Sequence, residues 1–314
     1  TYSKPNGVRD VLAALQEKYP EATVHGGDLL GVARPGAAVT IEPAAQLELS
    51  AGPFENIIDA KRVSLEFEDD VYQALSPIGG RALTLGFDPV NRAAGKELIP
   101  KARYDYMNEY LSSIGPWGPR MMRGSASTQV SIDYVDEADC IAKMRVAQVL
   151  APLFALMCDN TPMFEGSRRP HALMRTEIWK YCDPDRCNSV PGIFDEGFGF
   201  EDYAAYLLDV PAIVALDDDG EARYDTRTFG EIFARRAMTD DEVFHAMSMV
   251  FPDVRLKSYV EIRPADSMPI PYVLAYAALI KGLFYGKSSL ETLVRSCAGI
   301  SESDVAKAKD ALME

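Results

Sequence analysis

Lys257-Ser-Tyr-Val-Glu-Ile-Arg-Pro-Ala-Asp266 places Lys257, Tyr259, Glu261 and Arg263 on alternate residues, with Val260 and Ile262 between them. Successive side chains of a strand point to opposite faces, so the stretch reads as a strand with one apolar and one charged face. Two other stretches repeat the pattern. Ser127-Thr-Gln-Val-Ser-Ile-Asp-Tyr134 sets Gln129, Ser131 and Asp133 against Val130, Ile132 and Tyr134. Thr40-Ile-Glu-Pro-Ala-Ala-Gln-Leu-Glu-Leu-Ser50 sets Glu42, Gln46 and Glu48 against Ile41, Leu47 and Leu49, with Pro43 as a point of bending. One such strand is an ordinary wet face of an antiparallel sheet. Three of them carry Gln, Ser, Tyr and a Glu-x-Arg pair, residues suited to metal and phosphate chemistry, and read as the polar face of an active-site sheet.

Outward from these strands, helices and strands follow without regular alternation. Val8, Val11, Leu12, Leu15 and Tyr19 recur at helical spacing before Pro20, and Gly26 to Gly36 reads as a glycine-rich loop. The pattern predicts helices over 51–75, 103–111, 137–159, 272–284 and 303–313, and a strand over 83–87. The 137–159 helix is expected to bury Ile141, Met144, Val149, Leu153, Leu156 and Met157. Asp217-Asp-Asp-Gly220 reads as the solvated cap of a hairpin, not as a metal site. No repeat or linker divides the chain, so the expectation is one α+β domain over 1–314, built on an antiparallel sheet.

The 314 residues are 47% apolar, enough for a sizeable core. With 47 acidic against 32 basic residues the net charge is −15, which argues against nucleic acid or an anionic membrane as partner. Cys140, Cys158, Cys182, Cys187 and Cys297 are an odd set and fit free thiols in a cytoplasm better than a disulfide scaffold. The longest apolar stretches, near 149–158 and 272–280, are too short to span a bilayer, and no signal peptide opens the sequence.

Several familiar motifs fail. Gly282-Leu-Phe-Tyr-Gly-Lys-Ser288 has three residues between its glycines where a phosphate loop has four, and it ends a helix. There is no dinucleotide fingerprint and no Gly-x-Ser-x-Gly elbow. His25, His171 and His245 are too scattered for a triad or a zinc site, and Cys182-Asp-Pro-Asp-Arg-Cys187 lacks further ligands, which leaves a redox-sensitive pair as a minor reading. What remains is oxygen-rich: Glu42, Glu48, Glu261 and Gln129, with Arg263, Lys257, Arg175 and Arg186 as cations expected nearby. Such ligands suit Mg2+ and substrate phosphates, and phosphoryl transfer needs no protein nucleophile.

Taken in order, the motifs resemble those of glutamate-cysteine ligase (γ-glutamylcysteine synthetase) of the plant and proteobacterial type. The resemblance runs through Thr40 to Glu55, Leu85-Gly-Phe-Asp-Pro89, Pro100-Lys-Ala-Arg-Tyr-Asp-Tyr-Met107, Met121 to Asp133, Arg175-x-x-Ile-Trp179, Asp183-Pro-Asp-Arg186, Phe194-Asp-Glu-Gly-Phe-Gly-Phe200 and Phe251 to Arg263. It implies a glutamine-synthetase-like curved antiparallel sheet flanked by helices. It also implies an enzyme using ATP and Mg2+, or Mn2+, to join L-glutamate to L-cysteine through a γ-glutamyl phosphate, the first step toward glutathione. Carried over, Glu42, Glu48, Gln129 and Glu261 are metal ligands, and Arg263 stabilises the transferring phosphoryl group. Arg175 then clamps the α-carboxylate of glutamate against Trp179, Ser131 faces substrate, and Lys257 and Tyr259 reach the nucleotide. Relatives begin with a strand of further acidic ligands that the sequence from Thr1 onward does not supply; if that strand is missing, the metal shell is incomplete. Departures at Ala44-Ala45, Ser131, Pro264 and Ser267-Met-Pro269 leave open a different amine acceptor, and a noncatalytic nucleotide-binding or glutamate-binding relative stays as a third reading.

Overall fold

Over residues 42–46 the polar stretch of residues 40–50 divides, because a turn interrupts it. A computed structural model describes residues 1–216 and 220–314. Strands Ala37–Ile41 and Leu47–Ala51 form an antiparallel hairpin, not one strand. Pro43 and a left-handed Ala45 (φ 64°) reverse the chain, closed by bonds from Glu42 N to Gln46 O and from Ala45 N to Glu42 O. Register nonetheless keeps the expected face: Thr40 lies opposite Glu48, and Glu42 meets Gln46 two pairs further on, past Ile41 and Leu47. The glycine-rich loop also contains strands. Gly26 and Gly27, both at positive φ, turn Glu21–His25 back onto Asp28–Arg34, completing a four-stranded antiparallel sheet.

The 257–266 stretch gives its first three residues to a turn. Val254–Leu256 and Val260–Asp266 form a hairpin whose turn holds Lys257 and Tyr259, closed by Lys257 N donating to Tyr259 O. Ser127–Ile132 pairs on the other side of Val260–Asp266. Val260 and Ile262 are fully buried in the largest hydrophobic cluster, beneath the Glu137–Met157 and Ile270–Tyr285 helices. Each contributes about 2 kcal/mol by leaving water. The described strands fall into five sheets, one of them a short parallel pair between Cys187–Asn188 and Phe251–Pro252. The class is α+β.

The helices follow the sequence signals with shifts that have local causes. The second helix begins at Ile57, six residues later than expected, because Asn56 accepts from the Ile58 and Asp59 amides and Ala51 still belongs to a strand. Residues 83–87 form no strand; Phe87 alone bridges to Ser125. In Glu137–Met157 the buried face is Cys140, Ile141, Met144, Ala147, Ala151 and Phe154, whereas Leu153, Leu156 and Met157 are exposed. By length and composition this helix could cross a membrane, but its most apolar stretch is mostly buried inside the protein. The Lys287–Ser296 helix was not predicted. The acidic run Asp217 to Asp219 lies outside the described residues; the strands flanking it, Pro211–Leu216 and Ala222–Thr228, pair antiparallel.

Candidate active site

Two hairpins from different sheets bring their polar faces together. On one, Arg255 lies opposite Glu261, and Glu261 opposite Ser131, so three strands present Arg255, Glu261 and Ser131 in one row. Arg255 Nε and Arg263 Nη1 each donate to Glu261 Oε2 at 2.7 Å. Burial opposes ionisation of Glu261, but Arg263, Arg255 and Lys257 outweigh it and hold its carboxyl down at about 2. Ser131 is exposed on this face, and Gln129 is half-buried with its amide nitrogen donating to Ser127 Oγ at 2.7 Å.

The other hairpin supplies Glu42 and Glu48, partly open to water but surrounded by protein. Burial, then repulsion from Glu42 and Glu261, pushes Glu48 up to about 7 against the pull of Arg263 and Arg255. Burial also raises Glu42, opposed by Arg103, Lys101, Arg263 and Arg255. Burial of a carboxylate without enough positive charge is what a bound cation offsets. Among the described residues, no three His, Cys, Asp or Glu side chains converge as a ready-made metal shell. Gln46, facing the same way, is structural: its amide donates to the Met122 and Ser125 carbonyls at 3.2 and 3.0 Å and anchors the turn.

Lys257 and Tyr259 stand at the rim, in the hairpin turn. Their polar ends are 3.5 Å apart, and burial, with Arg255 second, lowers the Lys257 ammonium's pKa. Arg175 and Trp179 lie one turn apart on the Met174–Cys182 helix, with the guanidinium 3.8 Å above the indole ring. Trp179 Nε1 is fixed by the Phe251 carbonyl at 3.0 Å, and Arg175 Nε by the Arg263 carbonyl at 3.2 Å. Arg175 pairs with no carboxylate among the described residues, its Nη1 is buried without a partner, and burial lowers its pKa to about 10. Both residues, with Arg263, Pro264, Asp253 and Lys309, line a narrow cleft.

Sequence reasoning passed over Arg255, Lys101 and Arg103. Arg255 stands two residues before the quoted strand, and only the hairpin register reveals its bond to Glu261. Lys101 and Arg103 are alternate residues leading into the Ala102–Ile114 helix, beside Glu42. Arg186, expected near these carboxylates, is a buried strut instead. It pairs with Asp183 at 2.5 Å and donates to the Met249 and Pro211 carbonyls. Cys182 and Cys187 are both buried free thiols, and Cys187 is pushed well up by burial and by its hydrogen bond to Cys182.

Residues 4–311 match the profile of Glutamate-cysteine ligase family 2 (GCS2). The chain is 31% identical over 304 residues to the chloroplastic glutamate-cysteine ligase of Arabidopsis thaliana, covering 93% of this chain and 57% of that protein. It is 30% identical to the chloroplastic enzyme of Brassica juncea, covering 93% and 58%, and 29% identical to chloroplastic glutamate-cysteine ligase B of Oryza sativa subsp. japonica, covering 92% and 60%. The chain therefore spans about three fifths of the length of these curated relatives. On the match across nearly its whole length, the chain belongs to glutamate-cysteine ligase family 2.

Proposed function

We propose that the protein is an ATP-dependent ligase that joins the γ-carboxylate of L-glutamate to the amine of L-cysteine, the first step of glutathione synthesis. The observation that carries this reading is the meeting of Glu42, Glu48 and Glu261 with Arg263 and Arg255, beside a buried and unpaired Arg175 stacked on Trp179. A glutamine-synthetase-like arrangement of the sheets is part of the same proposal.

Arg175 takes the α-carboxylate of glutamate, with Trp179 as the wall, and the γ-carboxylate then extends toward Arg263. One γ-carboxylate oxygen attacks the γ-phosphorus of ATP; ADP leaves, and a γ-glutamyl phosphate results. The cysteine amine attacks the acyl carbon, phosphate leaves, and the amine gives up a proton to form the amide. Arg263, held by Glu261, stabilises charge on the transferring phosphoryl oxygens. Lys257 and Tyr259 at the rim are placed to meet the nucleotide, and Ser131 to meet substrate. Glu42, Glu48, Glu261 and Gln129 would hold Mg2+ or Mn2+, which takes few carboxylates plus substrate phosphates and supplies charge neutralisation. The burial that raises Glu48, with Glu42 second, fits that role.

Pro264 lines the cleft at a position where the resemblance leads one to expect glycine, which favours a second reading with another amine as acceptor. The five free thiols support a reducing, cytoplasmic setting. The test is phosphate release with ATP, Mg2+ and glutamate, with and without cysteine. Cysteine-dependent release of a γ-linked dipeptide supports the ligase; no release with any amine overturns it. Arg263→Ala should reduce turnover by at least about 100-fold with the far-UV spectrum unchanged. A fully active variant would remove Arg263 from the mechanism.

A further inference from the structure

On the Ile57–Leu75 helix, Val63, Phe67 and Val71 turn inward to the N-terminal hydrophobic cluster. The opposite face is exposed at positions 58, 61, 62, 65, 68, 69 and 72, a spacing that keeps them within about 120° of one another around the axis. Three of these residues are large and apolar. Ile58, Leu65 and Tyr72 stand seven places apart and are 73%, 42% and 68% exposed. Single exposed apolar side chains are ordinary on a surface, but a heptad-spaced row of them is what a second helix covers.

The charges between them are ordered. Lys61 and Arg62 lie between Ile58 and Leu65, and Glu68 and Asp69 between Leu65 and Tyr72. The row is therefore symmetric about Leu65. If two such helices run antiparallel and cross at Leu65, each residue faces the one equally far on the other side of Leu65 in the second copy. Ile58 then meets Tyr72, Lys61 meets Asp69, Arg62 meets Glu68, and Leu65 meets itself. Every charge faces its opposite. A parallel pair would set Lys61 and Arg62 against themselves, and Glu68 and Asp69 likewise, so the row specifies direction as well. The helix itself gives no reason for this order, since basic before acidic is the less favourable sense for pairs along one helix. Lys61 and Glu68 form no ion pair among the described residues, and the 3.0 Å pair of Arg62 with Glu66 lies at the surface.

We propose that this face binds a second copy of the chain, as a two-fold symmetric, antiparallel pair of Ile57–Leu75 helices with Leu65 on the axis. Seven residues a side are fewer than the roughly 20–30 of a standard interface, so the dimer is weak, with a Kd on the order of 100 µM. Sedimentation equilibrium of the full chain from about 10 µM to about 1 mM should show a monomer passing into a dimer, less completely as salt rises. Leu65→Glu, which sets two carboxylates face to face on the axis, should weaken dimerisation at least about tenfold. Leu65 is exposed, so the melting temperature of the dilute variant should match that of wild type. Arg62→Glu and Glu68→Arg, each alone, should weaken the dimer about fivefold, because each turns two attractions into repulsions. An equimolar mixture of these two variants should recover wild-type association, since Glu then faces Arg at both places. A chain still monomeric at about 1 mM overturns the inference, as does a dimer that Leu65→Glu leaves intact. Single charge variants whose mixture associates no better than either alone overturn it too.

Discussion

Asp88, in the Leu85-Gly-Phe-Asp-Pro89 motif, shows how a signature residue can serve the fold alone. Its Oδ1 accepts from the Val90 and Asn91 amides at 2.9 and 2.8 Å, and its Oδ2 pairs with Lys96 at 2.8 Å. Burial works against the charge, but the Asn91 amide, Lys96 and the Val90 amide outweigh it and hold the carboxyl at about 2. A carboxyl depressed on folding adds stability above its unfolded value of 3.8, and that stability is lost as pH falls toward 2. Asp88→Asn should therefore cost about 1–2 kcal/mol at pH 7 in urea unfolding, with the difference from wild type shrinking between pH 4 and pH 2. A difference independent of pH would show that the charge is irrelevant there. Glu42, Glu48, Glu261 and Arg263 were legible because alternation along a strand survives folding into hairpins. Arg255 was not, since only the hairpin register shows its bond to Glu261.

At the level of elements, what sequence hid was where strands turn back. Residues 40–50 and 257–266 each read as a continuous strand; a turn interrupts the first and takes Lys257 to Tyr259 from the second, and the closing bonds have no compositional marker beyond Pro43 in the first. The helix over 137–157 was legible in extent but only in part in facing: Ile141 and Met144 are buried as expected. Small residues, Ala147 and Ala151, face the core, and larger apolar side chains, Leu153, Leu156 and Met157, face water. The C-terminal Glu302–Met313 helix has a role that periodicity could not reveal. Its Lys309 is buried against Asp253 at the cleft, while Asp310 pairs with Lys180 at 2.5 Å on the Met174–Cys182 helix. Removing one partner of a buried pair leaves the other charge uncompensated. Lys309→Met should destabilise the protein by about 3 kcal/mol, and Lys309→Met with Asp253→Asn should recover more than half of that in equilibrium unfolding. No recovery in the double variant would mean that Lys309 acts through packing of its stem and not through charge.

The described residues hold three hydrophobic clusters, and the candidate site lies between the polar faces of two of them. Glu42 and Glu48 ride on the N-terminal cluster with Ile41 and Val39, whereas Glu261 and Arg263 ride on the one containing Val260 and Ile262. Their alignment depends on how the sheets dock, which alternation within a single strand cannot specify. At this junction burial, and after it Glu42 and Glu261, raises Glu48 against the pull of Arg263 and Arg255, and a cation-nucleotide complex would offset the buried negative charge. Binding restricted to the assembled site stabilises the folded chain by RT ln(1 + [L]/Kd), about 2.7 kcal/mol at a hundredfold excess over Kd. Mg2+ with ADP should thus raise the melting temperature by several degrees, and Glu42→Gln with Glu48→Gln should remove most of the rise by eliminating the charge that recruits the metal. The same double variant, relieved of repulsion, should melt no lower than wild type in metal-free buffer. A rise that persists in the variant would place the nucleotide away from this junction, and an apo protein that melts well below wild type would assign the two glutamates to structure.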